Sequence, residues 1–406
     1  MSARTTFALA LAGALLAACT AIAPPVEPTA IPPALGPQPT VEAAARPALQ
    51  QSDDEIKAGI QQSLDLLARA YNQNSPALLE QAVDQTNLPF RRLIATRLET
   101  FQQSILAGGR YDYVVSKIVA RRDYGFVVAR VELWGVVFDW TFRQVDGRWV
   151  MSEPTEQQIG QQHKSETDHF VFYAYPWSDN VNLKIMELME QARGRVLERL
   201  GRVPDQKPAV YIRPIFGVGG IASSNTLAYY DRDDRAGDRI VIYAPESYVF
   251  SYYDPAVGWE QTLLATLVHE YTHLVNHRSF TPLGRMSDWM VEGLAEYVSD
   301  SARADEVAQA VRSGAIIPIM DTSGRVYKQD LQHLTGLEKD VSLAYGLAAS
   351  LVAYTAERHG GLEGFWKLVR AYDKAQNLDT ALRQTFDVSY EQFDQGWREW
   401  LSKKYG

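Results

Sequence analysis

The chain has 406 residues, a formal net charge of −9 and a hydrophobic content of 46%. This length predicts two to three domains, and the composition is typical of a globular protein that buries a sizeable core. No run of Lys or Arg forms a basic patch, so a nucleic-acid partner is not expected.

The first 19 residues predict a lipoprotein signal peptide. Arg4 is followed by an apolar run from Phe7 to Ala18, which has the length of a signal-peptide core and is too short to span a bilayer. The run ends in Leu-Ala-Ala-Cys19, and Cys19 is the single cysteine of the chain. This ending resembles the bacterial lipobox, which implies cleavage before Cys19 and its lipidation; an ordinary secretory signal with a chance cysteine is the alternative. We therefore expect a lipid anchor to the membrane of the cell envelope, outside the cytoplasm.

Residues 20–51 are rich in Pro and Ala and nearly free of charge, which predicts a disordered linker. Residues 52–160 are expected to form a small α+β domain. Apolar residues at helical spacing predict helices from Asp53 onward, over Pro76–Val83 and over Phe90–Leu106. Alternating apolar residues then predict four strands, in the stretches 111–115, 126–130, 136–142 and 149–151. This order resembles the cone-shaped nuclear-transport-factor or SnoaL-like fold. No catalytic constellation stands out in these residues, so a spacer or a ligand pocket is expected in preference to a second enzyme.

Residues 163–406 are expected to form a second domain with a mixed sheet lobe followed by a helical lobe, so that the whole chain is α+β. Strands are predicted over Phe170–Tyr175, Ala209–Arg213 and Arg239–Ala244, and a helix is predicted over Val181–Leu200. Four or five helices are then predicted between Ala256 and Lys404.

A metal site is predicted where two helices of this second domain carry His and Glu at matched spacing. His269 and His273 are four residues apart in an apolar run without Gly or Pro, so both imidazoles lie on one helix face. Glu270 stands beside them, in the His-Glu-x-x-His pattern of zinc enzymes. Glu292 follows His273 after eighteen intervening residues, on another predicted helix. Two imidazoles and one carboxylate make the three-ligand set of a catalytic zinc, which keeps one position open.

This spacing, together with the segment Val-Glu292-Gly-Leu-Ala, resembles the gluzincin peptidases with aminopeptidase N-like spacing, and in particular the peptidase MA-like group. The resemblance covers residues 163–405 in outline. It implies a zincin-like fold with one Zn²⁺ per chain, held by His269, His273 and Glu292. It also implies Glu270 as the general base and Glu296 as the carboxylate that orients a ligand imidazole. A surface-facing acid is the alternative for Glu296.

Further features concern the substrate. Tyr345, in the segment Ser-Leu-Ala-Tyr345-Gly, resembles the Tyr with which aminopeptidase N relatives hydrogen-bond the tetrahedral intermediate, and a buried structural Tyr is the alternative. The strand around residues 240–243 is predicted to pair with an extended peptide as an added edge strand. The Gly-Ala-Met-Glu-Asn strand that binds a free amine in aminopeptidases has no counterpart between Gly217 and Pro245, which favours an endopeptidase or a peptidase with a narrow target.

The sequence therefore predicts a zinc metallopeptidase that acts on a peptide or protein substrate. A catalytically silent binding lipoprotein on the same scaffold is the alternative, and a structural lipoprotein with a coincidental motif is a third interpretation. No ligand or base of the motif is missing, and Glu270 beside two imidazoles would be costly to bury without a metal. His277 continues the stripe of the motif but lies two turns from His269, so a helix-surface role is expected for it.

Overall fold

The structure, a computed structural model, describes residues 51–88, 90–92, 94–95, 110–122, 125–133, 136–213, 227–232, 237–244, 258–280, 286–300, 303–314, 316 and 341–406. The described residues up to Gly160 form one compact unit, and those from Gln161 onward form a second. Each unit combines helices with a sheet, which confirms the predicted α+β class. The predicted signal peptide with Cys19, and the linker up to residue 50, lie outside the described residues.

The first unit contains helices α1 (Asp53–Gln73) and α2 (Pro76–Ala82), followed by a four-stranded sheet. Its strands are β1 (Val114–Arg122), β2 (Phe126–Leu133), β3 (Val136–Val145) and β4 (Arg148–Met151). Each strand is antiparallel to the next, in the order β1-β2-β3-β4. A short helix, α3 (Glu156–Ile159), follows the sheet. Most of the predicted helix Phe90–Leu106 lies outside the described residues.

Helix α1 begins at a capping box and buries one apolar face. Ser52 accepts a hydrogen bond from the backbone N–H of Glu55, and the Glu55 carboxylate accepts one from the N–H of Ser52. The buried face carries the predicted residues at helical spacing: Ile56, Ile60, Leu64 and Leu67. The first strand begins at Val114, later than predicted, because the Asn72 side chain of α1 binds both backbone groups of Tyr111 at 2.9 Å and replaces a strand partner there.

A buried carboxylate joins the end of α2 to the sheet of this unit. Asp84 is 1% exposed and accepts hydrogen bonds from Arg143 Nε (2.6 Å) and Ser152 Oγ (2.7 Å). It also accepts from the backbone N–H (2.8 Å) and the hydroxyl (2.7 Å) of Thr86. Burial raises the pKa of Asp84, but these donors together outweigh burial and hold the pKa below its ordinary value. The charges of this cluster balance, because one carboxylate meets one guanidinium.

The second unit contains a mixed, five-stranded sheet. Its strands are β5 (His163–Glu166), β6 (Val171–Ala174), β7 (Ala209–Arg213), β8 (Ala228–Asp231) and β9 (Arg239–Tyr243). They lie in the order β5-β6-β7-β9-β8, with β6, β7 and β9 parallel and β5 and β8 antiparallel at the two edges. Helix α4 (Asp179–Leu200) connects β6 to β7. The sequence did not predict β5 and β8, since both are four residues long and lack a clear apolar alternation.

Seven helices follow in the described part of the second unit. They are α5 (Trp259–Ser279), α6 (Asp288–Ser299), α7 (Ala304–Ser313), α8 (Val341–Arg358), α9 (Gly361–Ala375), α10 (Leu378–Phe386) and α11 (Tyr390–Tyr405). The prediction of four or five helices was too low, because breaks at Gly360, Asn377 and Ser389 divide the C-terminal segment. The side chains of Asn377 and Ser389 each cap the helix that follows. Within the described ranges, none of these helices is long and apolar enough to cross a membrane.

Candidate active site

Helix α5 carries three of the predicted site residues and is enclosed on several sides. It packs against α4, α6 and β8, and its buried residues occur all around the helix instead of on one stripe. Tyr271 packs its ring edge-on against Phe170, with 5.4 Å between the ring centroids. No Gly or Pro interrupts this helix, so His269 and His273 lie one turn apart on the same face.

The structure brings His269 and His273 together with Glu292 of α6. Nε2 of His269 lies 3.0 Å from Nε2 of His273 and 3.2 Å from Oε2 of Glu292. Nε2 of His273 lies 3.4 Å from the same Glu292 oxygen. Ligand atoms about 2.0–2.2 Å from a tetrahedral zinc stand roughly 3.3–3.6 Å from one another. We call these three atoms of His269, His273 and Glu292 the triangle, and its sides are close to that size. The three residues therefore fit a zinc ion and can share one metal.

Glu296 contacts His269 on the other nitrogen of its ring. The Glu296 Oε1 atom lies 3.2 Å from Nδ1 of His269, and the Glu296 side chain is 5% exposed. Arg303 in turn places its Nε 3.2 Å from Oε2 of Glu296. A carboxylate at Nδ1 fixes the tautomer of the imidazole and leaves Nε2 for a metal. Helical spacing pointed to Glu296 but not to Arg303, because α6 ends at Ser299 and Arg303 lies beyond it.

The second imidazole of the motif is held differently. Nδ1 of His273 is buried and meets no hydrogen-bond partner within the described ranges. A metal-ligating His normally donates this N–H to a carboxylate, a carbonyl or a water molecule. The Nδ1 atoms of His269 and His273 therefore have different surroundings in the described ranges, and the spacing of the motif does not predict this difference.

The electrostatics of the cluster show an excess of negative charge. Burial lowers the pKa of His269, but Glu292 and Glu296 raise that pKa well above its ordinary value. Burial also acts to raise the pKa of Glu292, whereas the imidazoles of His273 and His269 lower it strongly. For Glu270, burial dominates and raises the pKa. The carboxylates thus draw positive charge to the place where the three ligand atoms converge, and a divalent cation meets that requirement.

Glu270 faces the edge of the sheet. Its Oε2 accepts a hydrogen bond of 2.8 Å from the backbone N–H of Tyr230 in β8. Among the described strands, β8 pairs with β9 alone, whereas β9 lies between β7 and β8. The prediction that residues 240–243 offer a free edge was therefore wrong, because the unpredicted strand β8 covers them. The edge that Glu270 contacts belongs to β8.

Helix α8 brings Tyr345 close to the triangle. The ring centroid of Tyr345 lies 6.1 Å from that of His269 in a T-shaped arrangement. It also lies 5.2 Å from the guanidinium carbon of Arg303. The predicted Tyr345 thus lies near the triangle, although it comes from a helix far along the chain.

Two glycines allow the helices that carry these residues to approach closely. A Cβ atom on Gly293 of α6 would collide with the backbone carbonyl of Ala348 on α8. A Cβ atom on Gly346 of α8 would stand 2.8 Å from Val307 and 3.1 Å from Arg303. Gly293 follows Glu292 and Gly346 follows Tyr345 in sequence, so close packing at each glycine helps to set the position of a site residue.

The other histidines in the described ranges do not belong to the metal-binding group. Each has a neighbour of its own: His277 lies 6.4 Å from the Tyr230 ring, His169 pairs with Glu190 at 2.7 Å, His163 lies 3.8 Å from Asp179, and His359 stacks on Phe386 at 4.2 Å. His333 lies outside the described residues.

No protein-family model matches the chain, and no curated protein matches it. Among solved structures, an M1 zinc metallopeptidase from Deinococcus radiodurans is 13% identical with a TM-score of 0.31, over 71% of this chain and 62% of that one. A variant of that type bound to a Tyr-Ser-Ala substrate is 12% identical with a TM-score of 0.30, over 64% and 58%. An aminopeptidase N family protein from Idiomarina loihiensis is 13% identical with a TM-score of 0.31, over 57% and 45%. The match spans less than two thirds of each of these chains, and the TM-scores lie below 0.5.

Proposed function

We propose that this chain is a zinc metallopeptidase that hydrolyses peptide bonds of a peptide or protein substrate outside the cytoplasm. The observation that carries the proposal is the triangle of His269, His273 and Glu292, with separations of 3.0, 3.2 and 3.4 Å, next to Glu270. Such a ligand set leaves a position on zinc for water or substrate. Zinc held there would act as a Lewis acid toward water and toward the scissile carbonyl.

The other residues of the site supply proton transfer and orientation. Glu270 takes the proton of the attacking water and passes it to the leaving amine, and the N–H of Tyr230 holds its carboxylate at 2.8 Å. Glu296 keeps His269 in the tautomer whose Nε2 belongs to the triangle. Tyr345 donates its phenolic O–H to the oxyanion that develops on the substrate.

The outer edge of β8, apart from the Tyr230 N–H that Glu270 binds, supports an endopeptidase. An extended peptide can add to a free strand edge through backbone hydrogen bonds, while side-chain pockets give specificity. The carboxylate of β8 belongs to Asp231, which pairs with Arg239 at 2.6 Å. Within β8, no carboxylate is left to bind the free amine of a substrate. We therefore propose cleavage inside a chain and not removal of an N-terminal residue.

We further propose that a lipid on Cys19 anchors the mature protein to the membrane of the cell envelope. The support is the lipobox-like end of the apolar run and the uncharged, Pro- and Ala-rich linker that follows it. A Cys19→Ala variant should lose incorporation of labelled palmitate and leave the membrane fraction. Label that persists in this variant would rule out Cys19 as the site of lipidation.

The test of the enzymatic proposal measures zinc content and hydrolysis of a peptide library by the full chain in detergent. We expect one zinc per chain and hydrolysis in the unaltered protein. Glu270→Gln should keep the zinc and lose hydrolysis, and His273→Ala should lose the zinc. His277→Gln, on the same helix one turn beyond the motif, is the matched control and should keep both. Zinc without hydrolysis in the unaltered protein would support the catalytically silent binding lipoprotein, and absence of zinc would refute the proposal.

A further inference from the structure

We propose that Arg303 is a positioning residue that links the ligand His269 to Tyr345. This inference rests on the proposed function and deepens it, because it assigns a role to a residue outside the motif and its spacing. Arg303 does not belong to the metal-binding triangle. It acts through two neighbours, the carboxylate of Glu296 and the ring of Tyr345.

The contacts of Arg303 reach both sides of the site. Its Nε lies 3.2 Å from Oε2 of Glu296, and a terminal nitrogen lies 3.5 Å from Oε1 of the same carboxylate. That Oε1 is 3.2 Å from Nδ1 of His269. The guanidinium carbon also lies 5.2 Å from the ring centroid of Tyr345, within the range of a cation–π interaction. One side chain thus contacts the carboxylate that orients a ligand and the ring that faces the same ligand.

Arg303 neutralises one of the three buried carboxylates of the cluster. With neutral imidazoles, Glu270, Glu292 and Glu296 place three negative charges in a small region of low exposure. Arg303 pairs with the most buried of them, Glu296, which is 5% exposed. A divalent ion together with this guanidinium would balance the three carboxylates. Without Arg303, Glu296 would lose this ion pair while remaining buried, and its charge would become more costly to enclose.

The position of Arg303 is set by the packing of α8 against the start of α7. Arg303 is the N-cap residue of α7. A Cβ atom added to Gly346 would stand only 3.1 Å from the Cβ of Arg303. Because Gly346 directly follows Tyr345, the same close contact places the ring and the guanidinium. Arg312, in the last turn of α7, is exposed and serves as a matched control on the same helix.

The test compares Arg303→Gln, Arg303→Lys and Arg312→Gln in the full chain in detergent. Zinc affinity is measured by competition with a chromophoric chelator, and kcat and KM are measured at saturating zinc. We expect Arg303→Gln to weaken zinc binding about 10- to 100-fold and to lower kcat about 10-fold with KM unchanged. Arg303→Lys should recover part of the zinc affinity, since it keeps the charge but not the planar fork. Arg312→Gln should behave as the unaltered protein.

Two double variants examine the two contacts separately. The losses of zinc affinity in Arg303→Gln and Glu296→Gln should not add, and the losses of kcat in Arg303→Gln and Tyr345→Phe should not add. Additive losses in either pair, or an Arg303→Gln variant that matches Arg312→Gln, would overturn the inference while leaving the proposed function in place. An unaltered chain that binds no zinc would overturn both. A general loss of stability in Arg303→Gln without these couplings would assign the residue a purely structural role and also overturn the inference.

Discussion

The two units of the molecule both enclose carboxylates, but they neutralise them in different ways. In the first unit, Asp84 meets the guanidinium of Arg143 and several neutral donors. In the second unit, Glu270, Glu292 and Glu296 face two imidazoles, one guanidinium and one backbone N–H. The first cluster is complete by itself. The second keeps a negative excess at the point where three ligand atoms converge.

This contrast separates a cluster whose buried carboxylate is fully compensated from one whose buried carboxylates are not. The donors around Asp84 hold its pKa low despite burial, so its charged form adds to stability. Burial raises the pKa of Glu270, so its charged form is poorly compensated. Groups of the second kind are kept at functional sites at some expense of stability. Replacing a carboxylate by an amide should therefore have opposite effects on the stability of the two units.

The largest expected effect is on the rate of hydrolysis in Glu270→Gln. Loss of the general base should lower kcat about 10²- to 10⁴-fold. In the presence of a chelator, this variant should unfold at the same temperature as the unaltered protein or at a higher one, because a neutral amide is less costly to enclose beside Glu292. Steady-state kinetics and calorimetry measure the two parts. If the variant kept its rate of hydrolysis, or unfolded at a lower temperature, the proposed difference between Glu270 and Asp84 would be contradicted.

The matched change in the first unit, Asp84→Asn, should reduce stability by about 3 kcal/mol, because Arg143 keeps its charge and loses its carboxylate partner. Hydrogen exchange of the α2 and β4 amides reports this loss for the first unit. The control is pH. Because folding lowers the pKa of Asp84, its contribution is present above the ordinary pKa of an aspartate and is lost as the pH falls through the lowered pKa. Asp84→Asn should lack that acid-dependent loss, and an unchanged acid profile in the variant would argue against the cluster.

Removal of zinc should destabilise the second unit alone. An ion present at 100 to 1,000 times its dissociation constant stabilises the folded state by about 2.7–4.1 kcal/mol. After chelation, the amides of α5 and α6 should exchange faster, whereas those of α1 and β2 should be unchanged. Re-addition of zinc should restore the slow exchange. An equal change in both units would show that the metal acts elsewhere than at the triangle.

The smallest expected effects come from one substitution, Gly→Ala, at two helical positions of the second unit. Gly293→Ala should cost about 1–3 kcal/mol, because its methyl group meets the backbone of Ala348. It should also weaken zinc binding, since Glu292 is the neighbouring residue. Gly194→Ala on α4, where a Cβ meets nothing within 4 Å, should instead stabilise by about 0.5–1 kcal/mol. Thermal unfolding measures the stability of both variants. If the two substitutions changed the stability in the same direction, that result would argue against close packing at Gly293.

Patterns within a single element could be read directly from the sequence. The apolar spacing after Asp53 predicted α1, and the spacing of His269 and His273 predicted two imidazoles on one face. Such predictions succeed because a regular helix fixes the relative direction of residues three or four positions apart. The interval to Glu292 pointed to a third ligand through its resemblance to known peptidases, and the structure places that carboxylate at the same point.

Contacts between elements were not accessible in the same way. Strand β8 is short and has no clear alternation, so the free edge was assigned to β9, which is in fact an interior strand. Arg303 lies past the end of α6, where helical spacing no longer relates it to Glu296. The unequal surroundings of Nδ1 in His269 and His273 depend on which neighbouring helix supplies a carboxylate.

The amino-acid order alone specifies His269, His273 and Glu292 and the helices that present them, since these depend on local geometry and on residue chemistry. The free edge, the pairing of Glu296 with Arg303 and the approach of Tyr345 arise only when distant segments pack together. Whether they meet depends on small residues such as Gly293 and Gly346 at the points of contact. The energy of such packing is shared among atoms that are far apart in the chain, and no local pattern carries it.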